Sequence, residues 1–341
     1  MHDRAGQVHA RVTPTAVSPA PRNAAIDAYR GIAVLVMAVG NLGLGVRWVP
    51  AALKHATDIG FTIADVVAPM FMLSIALVVG LRVEGWRAAP DKRPIRGRMA
   101  RRGLMLLGLG AVISGGQALT VAAGPTALSW GVLQAIGAAT LLLLPVVLLP
   151  AWARLASGVG CLLVYQVLLD RFFLQAVLQI SFDSILGTLS WGGFLMIASA
   201  VAEQWHRTRG AVRRTVLLAT VGLGSALLAW GLSPWIPVSK NRASLTYELL
   251  ALGLCLLLFA IVAAILDGHP HRWHWLQSPG RHPLPLYFAH LITMAFLTLP
   301  GVDGWYAGAP VWLTLVQAAV MVAVLLTVAA VFDRRGWSLR L

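Results

Sequence analysis

Ten stretches of mainly apolar residues, separated by short polar segments, follow residue 24 of the sequence. Most are about as long as a helix needs to cross ~30 Å of hydrocarbon, and they lack the alternation of apolar and polar residues that a membrane barrel requires. A bilayer offers no water to backbone N–H and C=O groups, so such segments span it as helices. We therefore predict helices over 25–48, 61–82, 103–123, 128–150, 155–170, 185–203, 215–232, 246–267, 284–300 and 311–332.

These elements predict an all-α fold, a polytopic integral membrane helical bundle of about ten transmembrane helices. Composition agrees, because 58% of the 341 residues are hydrophobic and only 12% are charged, whereas soluble domains are roughly 45–50% apolar with glycine included. Residues 1–24 are polar, contain Pro14, Pro19 and Pro21, and lack apolar periodicity. We predict a flexible cytoplasmic N-terminal tail over 1–24 and a single transmembrane domain over 25–341.

The net charge of +14 is concentrated in a few inter-helix segments. Lys and Arg collect on the cytoplasmic side of membrane proteins, so the eight positive residues between 82 and 102 place that segment inside. Ten helices then put both termini in the cytoplasm and 22 of the 27 Lys and Arg residues inside. We interpret the charge as a topology signal that faces anionic lipid, not as a nucleic-acid site, and expect a bacterial cytoplasmic (inner) membrane.

Candidate chemistry lies near the outer end of the second helix. His55 and Asp58 fall in the preceding loop, and Asp65 follows one turn into the helix. A histidine oriented by a carboxylate can act as a general base or a nucleophile, as acyl transfer requires. The alternative is that His55 is an interfacial loop residue and that Asp65 caps or pairs locally.

Other polar residues at membrane depth have both structural and functional interpretations. Asp27 and Arg30 are spaced for an i,i+3 ion pair that anchors the first helix. Asn41 serves either helix packing or ligand binding, and His290 is either a hydrogen-bonded core histidine or a functional group. His269, His271 and His274 fit an interfacial segment better than a metal site, and we expect no metal.

Two segments resemble membrane acyltransferases. Residues 22–31 are similar to an R-x-x-x-x-D-x-x-R-G opening that several families share, and residues 54–69 resemble the K-H-A-x-x-x-G-x-T-x-A-D-L-V-F-P motif of heparan-glucosaminide N-acetyltransferases and their bacterial relatives. Segments that begin at Gly131, Leu186, Lys240 and Pro283 are similar to later parts of that family, so the resemblance spans roughly residues 22–292.

The resemblance implies a membrane enzyme that passes an acetyl group from cytoplasmic acetyl-CoA, or another acyl-CoA, to an extracytoplasmic amino sugar or glycan. His55 matches the family's essential histidine. Asp58 or Asp65 would orient it, and further residues match polar positions of a substrate and acyl-donor pocket. These pocket residues are Asn41, Gln134, Asn241 and His290.

Several positions depart from the family pattern. Its Trp-Asn pair is Asp58-Ile59 here, its arginine after G-V-L-Q is Ala135, and its later asparagine is His282. The acceptor therefore stays open, as does the choice between a monomer and a homodimer in the lipid bilayer. A non-enzymatic transporter or a lipid- or glycan-binding protein on the same scaffold is the alternative function.

Overall fold

The computed structural model describes residues 23–120, 130–179, 185–269 and 271–337, which form helices and their connections without a strand. Most of the tail predicted over 1–24, with its arginines, lies outside these residues, and so does Arg340. The helices are α1 (Ala24–Leu44), α2 (Val67–Ala88), α3 (Arg93–Thr120), α4 (Val132–Leu143), α5 (Ala151–Leu168), α6 (Leu174–Gln179), α7 (Thr188–Arg207), α8 (Ala211–Leu232), α9 (Leu245–Leu266), α10 (His274–Arg281), α11 (Pro283–Thr298) and α12 (Val311–Arg335).

Each of the ten predicted segments overlaps a helix of the structure. Among the described residues, seven helical segments are long and apolar enough to cross a membrane, and α4 and α11 are shorter apolar helices. This confirms the all-α, polytopic membrane fold. The predicted span 128–150 was too long, because α4 ends at Leu143 and short turns follow it.

Two boundaries and one additional helix correct the prediction. Asn23 and Ala24, which the prediction assigned to the tail, are the N-cap and first residue of α1, since the Asn23 side chain accepts from the backbone N–H groups of Ala25 and Ile26 at 3.0 and 3.2 Å. The segment predicted to stop at residue 170 continues through a π-helical turn (Leu169–Phe173) into α6. Helix α10 was not predicted, because its proline and basic residues hide a helical pattern.

Helices α1 and α10 pack backbone against backbone through two glycines. A Cβ atom built on Gly31 would stand 1.8 Å from the carbonyl oxygen of Leu276, and one built on Gly280 would stand 1.7 Å from that of Asp27. Small residues permit this approach in membrane helices. The α1–α10 contact therefore depends on glycine at both positions.

The bundle has two ends. The end that carries the α1–α2, α8–α9 and α11–α12 connections is called the His55 end; there the Arg47 N–H donates to Ala307 O at 2.9 Å and the Gly60 N–H to Val238 O at 2.8 Å. The opposite end, called the basic end, joins the end of α2 to the α4–α5 connection and to the end of α7, through hydrogen bonds from Arg87 to Leu148 O and to Glu203. The predicted topology places the basic end in the cytoplasm, and this orientation stays a prediction.

Candidate active site

His55 and Asp65 are in direct contact at the His55 end. The His55 Nδ1 atom lies 2.8 Å from Asp65 Oδ1. The Asp65 side chain is fully buried, whereas that of His55 is 24% exposed. An ionised carboxylate only accepts, so the ring carries its proton on Nδ1 and donates it to Asp65. This leaves the Nε2 atom with the lone pair that a base or nucleophile uses.

The local fold fixes the Asp65 carboxylate. Its Oδ2 atom accepts from the Thr62 N–H at 3.0 Å, from the Thr62 hydroxyl at 2.9 Å and from the Ala56 N–H at 3.4 Å. Thr62 precedes the 3-10 turn Ile63–Val66 that leads into α2, and Asp65 closes the capping box at its start. The buried charge is thus satisfied by hydrogen bonds before the histidine is counted, as a buried carboxylate requires.

Helix α9 supports the pair from behind. The hydroxyl of buried Tyr247 donates to the backbone oxygen of Asp65 at 2.8 Å, and its ring stacks edge-on against Trp191 at 5.7 Å between centroids. Lys240, also buried, is near enough for its charge to act on the Asp65 carboxylate. Sequence reasoning gave no role to Tyr247 or Lys240, although both fall in segments that resemble the family.

Asp58 does not contact His55 but is bound by Arg242. The Arg242 Nε–H donates to Asp58 Oδ1 at 2.9 Å, Arg242 Nη2 pairs with Oδ2, and the Ser239 hydroxyl donates to Oδ1 at 2.9 Å. The hydrogen bonds from Arg242 lower the pKa of Asp58 against the effect of burial, and the same contact raises the pKa of Arg242. Of the two carboxylates considered for orienting His55, the structure brings only Asp65 to the ring.

Asn241 extends this contact between loops. Its Nδ2 atom donates to the backbone oxygen of Thr57 at 2.5 Å. Together with the Asp58–Arg242 pair and the Gly60–Val238 hydrogen bond, it holds the α8–α9 connection over the loop that carries His55. These contacts between 57–60 and 238–242 are called the loop latch below. Asn241 therefore contacts the histidine loop and not the ring itself.

Asn41 and His290 pair with each other between α1 and α11. The His290 Nδ1–H donates to Tyr287 O at 2.6 Å, which fixes the tautomer and makes Nε2 the acceptor for the Asn41 amide at 3.1 Å. His290 is buried. Both interpretations of these residues stay open, but the hydrogen bond gives each of them a structural role.

The remaining predicted residues lie apart from His55. Gln134 caps the start of α4, where its Oε1 atom accepts from the Gly131 N–H at 2.6 Å and from the Ser114 hydroxyl at 3.2 Å. Arg30 lies 3.7 Å from Asp27 at the basic end and also donates to Gly280 O at 3.1 Å. The spacing expected of the Asp27–Arg30 ion pair is thus present, and Arg30 joins α1 to α10.

Sequence reasoning missed a buried charge cluster at the basic end. Glu203 is buried in α7 and pairs with Arg87, Arg154 and Arg207. A carboxylate inside an apolar span was the available signal, because such a charge needs a partner.

Two sequence comparisons place the chain among known proteins. The sequence model of the family described as heparan-alpha-glucosaminide N-acetyltransferase, catalytic, matches residues 22–196. The curated heparan-alpha-glucosaminide N-acetyltransferase of Homo sapiens is 32% identical over 124 residues, which cover 34% of this chain and 18% of that protein. The chain thus matches less than a fifth of that relative's length.

The fold defines the class first: a polytopic helical membrane protein with a histidine–aspartate pair at one end of its bundle. Because the family match covers half of the sequence, the chain belongs to the heparan-alpha-glucosaminide N-acetyltransferase family, a family of membrane acetyltransferases. The match contains His55, Asp58 and Asp65. Asn241 and His290 lie beyond it, so the predicted resemblance of the segments that begin at Lys240 and Pro283 rests on their motifs alone.

Proposed function

We propose that the protein is a transmembrane acyltransferase that moves an acetyl group from cytoplasmic acetyl-CoA to an acceptor on the other side of the membrane, with His55 as the catalytic residue. The observation that carries this proposal is the 2.8 Å contact between His55 Nδ1 and buried Asp65. A surface histidine does not need a carboxylate held by three further donors. Membership of the family indicates acetyl transfer as the reaction class. The His55–Asp65 pair provides an imidazole that can act as the base or nucleophile of that reaction.

The pair suits two routes of acyl transfer. In the first, His55 Nε2 attacks the thioester carbonyl, the C–S bond breaks, and CoA leaves as the thiol after protonation; the acceptor then attacks the acyl-imidazole and restores the ring. In the second, Nε2 takes a proton from the acceptor as it attacks the thioester directly. Both routes place positive charge on the ring, which the Asp65 carboxylate stabilises.

Asp58, Asn41 and Asn241 are assigned positioning roles. The loop latch binds Asp58 and Asn241 to the backbone and side chains around the histidine loop. The Asn41 amide donates to His290. Each side-chain amide has two N–H donors and uses one of them in these contacts, so we also assign the second N–H of Asn41 or Asn241 to the oxyanion that develops on the thioester.

An apolar crevice begins one turn of α2 beyond Asp65. It lies between α2, α4 and α7 and is lined by Ala68, Met72, Val132, Ala135, Ile136 and Trp191. The crevice is too narrow to hold even a water molecule as packed here, so it is an apolar wall beside the histidine end of α2 and not a preformed acyl pocket. Ala135 replaces the arginine of the family pattern here, so this wall of the crevice carries no charge.

A cluster of arginines at the basic end suits the phosphates of the donor. Arg102 of α3 is repelled by the positive charges of Arg30 and Arg82. Its Nε atom is buried without a hydrogen-bond partner among the described residues. Arg102 is partly buried and Arg82 is exposed; their like charges repel each other, and an anion that joins them removes this repulsion. Phosphate esters bind arginine in this way, which supports entry of acetyl-CoA from the basic end.

The acceptor is inferred only as a class. The family relative is named for an amino-sugar substrate, so we infer an amino-sugar or glycan acceptor with a nucleophilic amine or hydroxyl. The departures from the family pattern at Asp58-Ile59 lie within the loop latch, and His282 contacts Asp333 at the basic end, 2.9 Å from its carboxylate. The latch is therefore the region where acceptor preference would differ from the relative.

The proposal is tested by transfer across a sealed membrane. Full-length protein is placed in proteoliposomes, labelled acetyl-CoA is supplied on the side of the basic end, and glucosamine is supplied on the other. Labelled acceptor should form with wild type and not with His55→Ala. Binding of CoA without any thioester turnover, in wild type and variant alike, would contradict the acyltransferase proposal and favour a binding or transport function.

A further inference from the structure

A cavity of about 380 Å³ opens at the basic end, away from His55. It lies between the end of α2, the end of α7 and the start of α5. Its walls combine charged and apolar residues, namely Arg87, Arg207, Glu203, Leu148 and Trp152. The proposed acyl transfer uses none of these side chains.

The charge around this cavity is positive. Buried Glu203 accepts from Arg87 at 2.6 and 3.0 Å and from Arg207 at 2.9 Å, and it also pairs with Arg154. Exposed Glu84 pairs with Arg207. Three guanidinium groups thus face two carboxylates, one of which lies in solvent.

Arg154 adds a third cation to this cluster from behind the cavity, where its Nη1 atom donates to the Ser199 hydroxyl at 2.7 Å and its Nη2 atom pairs with Glu203. Its side chain is wholly buried, and its Nε atom has no hydrogen-bond partner among the described residues. Removing a cation from water is costly unless opposite charge and hydrogen bonds replace the solvent. An anion in the neighbouring cavity would add negative charge where the protein lacks it.

The surface next to the cavity is apolar and continues along α5. Trp152 in the first turn is 73% exposed, and Leu155, Val159 and Leu163 follow at helical spacing on the same exposed face. Tryptophan favours the boundary between headgroups and hydrocarbon. The exposed stripe leads from this boundary into the apolar part of the bundle.

We propose that this cavity binds the headgroup of an anionic phospholipid, whose acyl chain lies along Trp152, Leu155, Val159 and Leu163. Basic pockets between membrane helices on the cytoplasmic side suit such headgroups. A soluble phosphate would use the charge but not the stripe, and a neutral lipid would use the stripe but not the charge. Both features together select an anionic lipid.

The site is distinct from the arginine cluster assigned to the CoA phosphates. Arg82 and Arg87 are five residues apart on α2, so their side chains point about 140° away from each other around the helix. Arg87 faces Glu203 and the α4–α5 connection. The lipid proposal therefore does not depend on the acyltransferase proposal.

The test measures lipid binding to the detergent-purified full-length protein by native mass spectrometry and by thermal unfolding. Phosphatidylglycerol should bind wild type and raise its unfolding temperature, whereas phosphatidylcholine and inorganic phosphate should not. Arg207→Gln should weaken phosphatidylglycerol binding about tenfold, the effect of losing one charge-assisted contact. Arg213→Gln removes an exposed arginine that does not line the cavity, so this control should bind as wild type does.

Trp152→Ala is a second test variant, because the exposed Trp152 side chain can be removed without leaving a buried charge. It should also weaken phosphatidylglycerol binding, even if Arg207→Gln fails to fold. Equal binding of the two lipids by wild type, or full binding by both cavity variants, would overturn the proposal. A thermal shift that inorganic phosphate gives to wild type but not to Arg207→Gln would also overturn it and would indicate that the cavity is a site for a soluble anion.

Discussion

The Nδ1 atom of His55 lies 2.8 Å from the Oδ1 atom of Asp65, and the other carboxylate oxygen is held by Thr62 and Ala56. The histidine lies in a loop, but the aspartate belongs to the 3-10 turn Ile63–Val66 that leads directly into α2. The ring orientation is therefore set by the turn that begins this helix. This is the arrangement that a reaction needing one defined tautomer requires.

Asp65→Asn should reduce thioester turnover by about 10³- to 10⁴-fold, as the loss of the orienting carboxylate does in other histidine-dependent acyl transfers. The amide cannot stabilise the charged ring, and it can select the wrong tautomer. CoA release from acetyl-CoA measures this effect. Asp58→Asn is the matched control, because it makes the same change in the loop latch; an equal loss in both variants would contradict the specific role of Asp65.

The loop latch should show acid sensitivity of its own. Arg242 lowers the pKa of Asp58 in the folded protein. The stability from this contact is therefore fully present above the ordinary aspartate pKa of about 3.9 and disappears as the pH falls through the lowered value. Since both side chains are partly exposed, we expect about 1 kcal/mol.

Thermal unfolding of wild type and Asp58→Asn across pH measures the latch contribution. The two proteins should differ at pH 7 and converge in acid, below the lowered pKa of Asp58. A difference that grows toward low pH would show that the contact does not act through the ionised carboxylate.

Gly31→Ala should destabilise the protein by about 2 kcal/mol or more, because the new methyl group meets the carbonyl oxygen of Leu276 at 1.8 Å and α10 must move. Gly40→Ala, in the same helix, meets nothing within 4 Å and should cost nothing. Unfolding temperatures in detergent compare the two. Equal stability of the two variants would show that α10 does not pack against α1 as described.

The Asn41–His290 hydrogen bond should appear as an energetic coupling. Asn41→Leu leaves buried His290 Nε2 without its donor and should cost about 1–3 kcal/mol. His290→Phe removes the acceptor, so the double variant should lose less than the sum of the single changes. Additive losses in a double-mutant cycle of unfolding free energies would indicate that the two side chains do not interact.

The helices were predictable because long apolar runs admit little besides a membrane helix, and all ten segments overlapped one. Helix α10 was not predictable in this way, because it is held by its contact with α1, which lies more than 240 residues away in the sequence. At the site, the sequence spacing placed Asp58 and Asp65 near His55 but did not show which of them orients the ring. The choice depends on Thr62 and Arg242, whose positions are set by loop geometry and by packing of distant helices.

The thioester chemistry of His55 is the central proposal for this protein. The decisive measurement is the rate of CoA release from acetyl-CoA by purified wild type and His55→Ala, with CoA affinity determined on the same samples. We expect release to fall by at least about 10²-fold while CoA affinity stays within about twofold, since the arginine cluster lies at the other end. Release that is unchanged in His55→Ala would contradict the account.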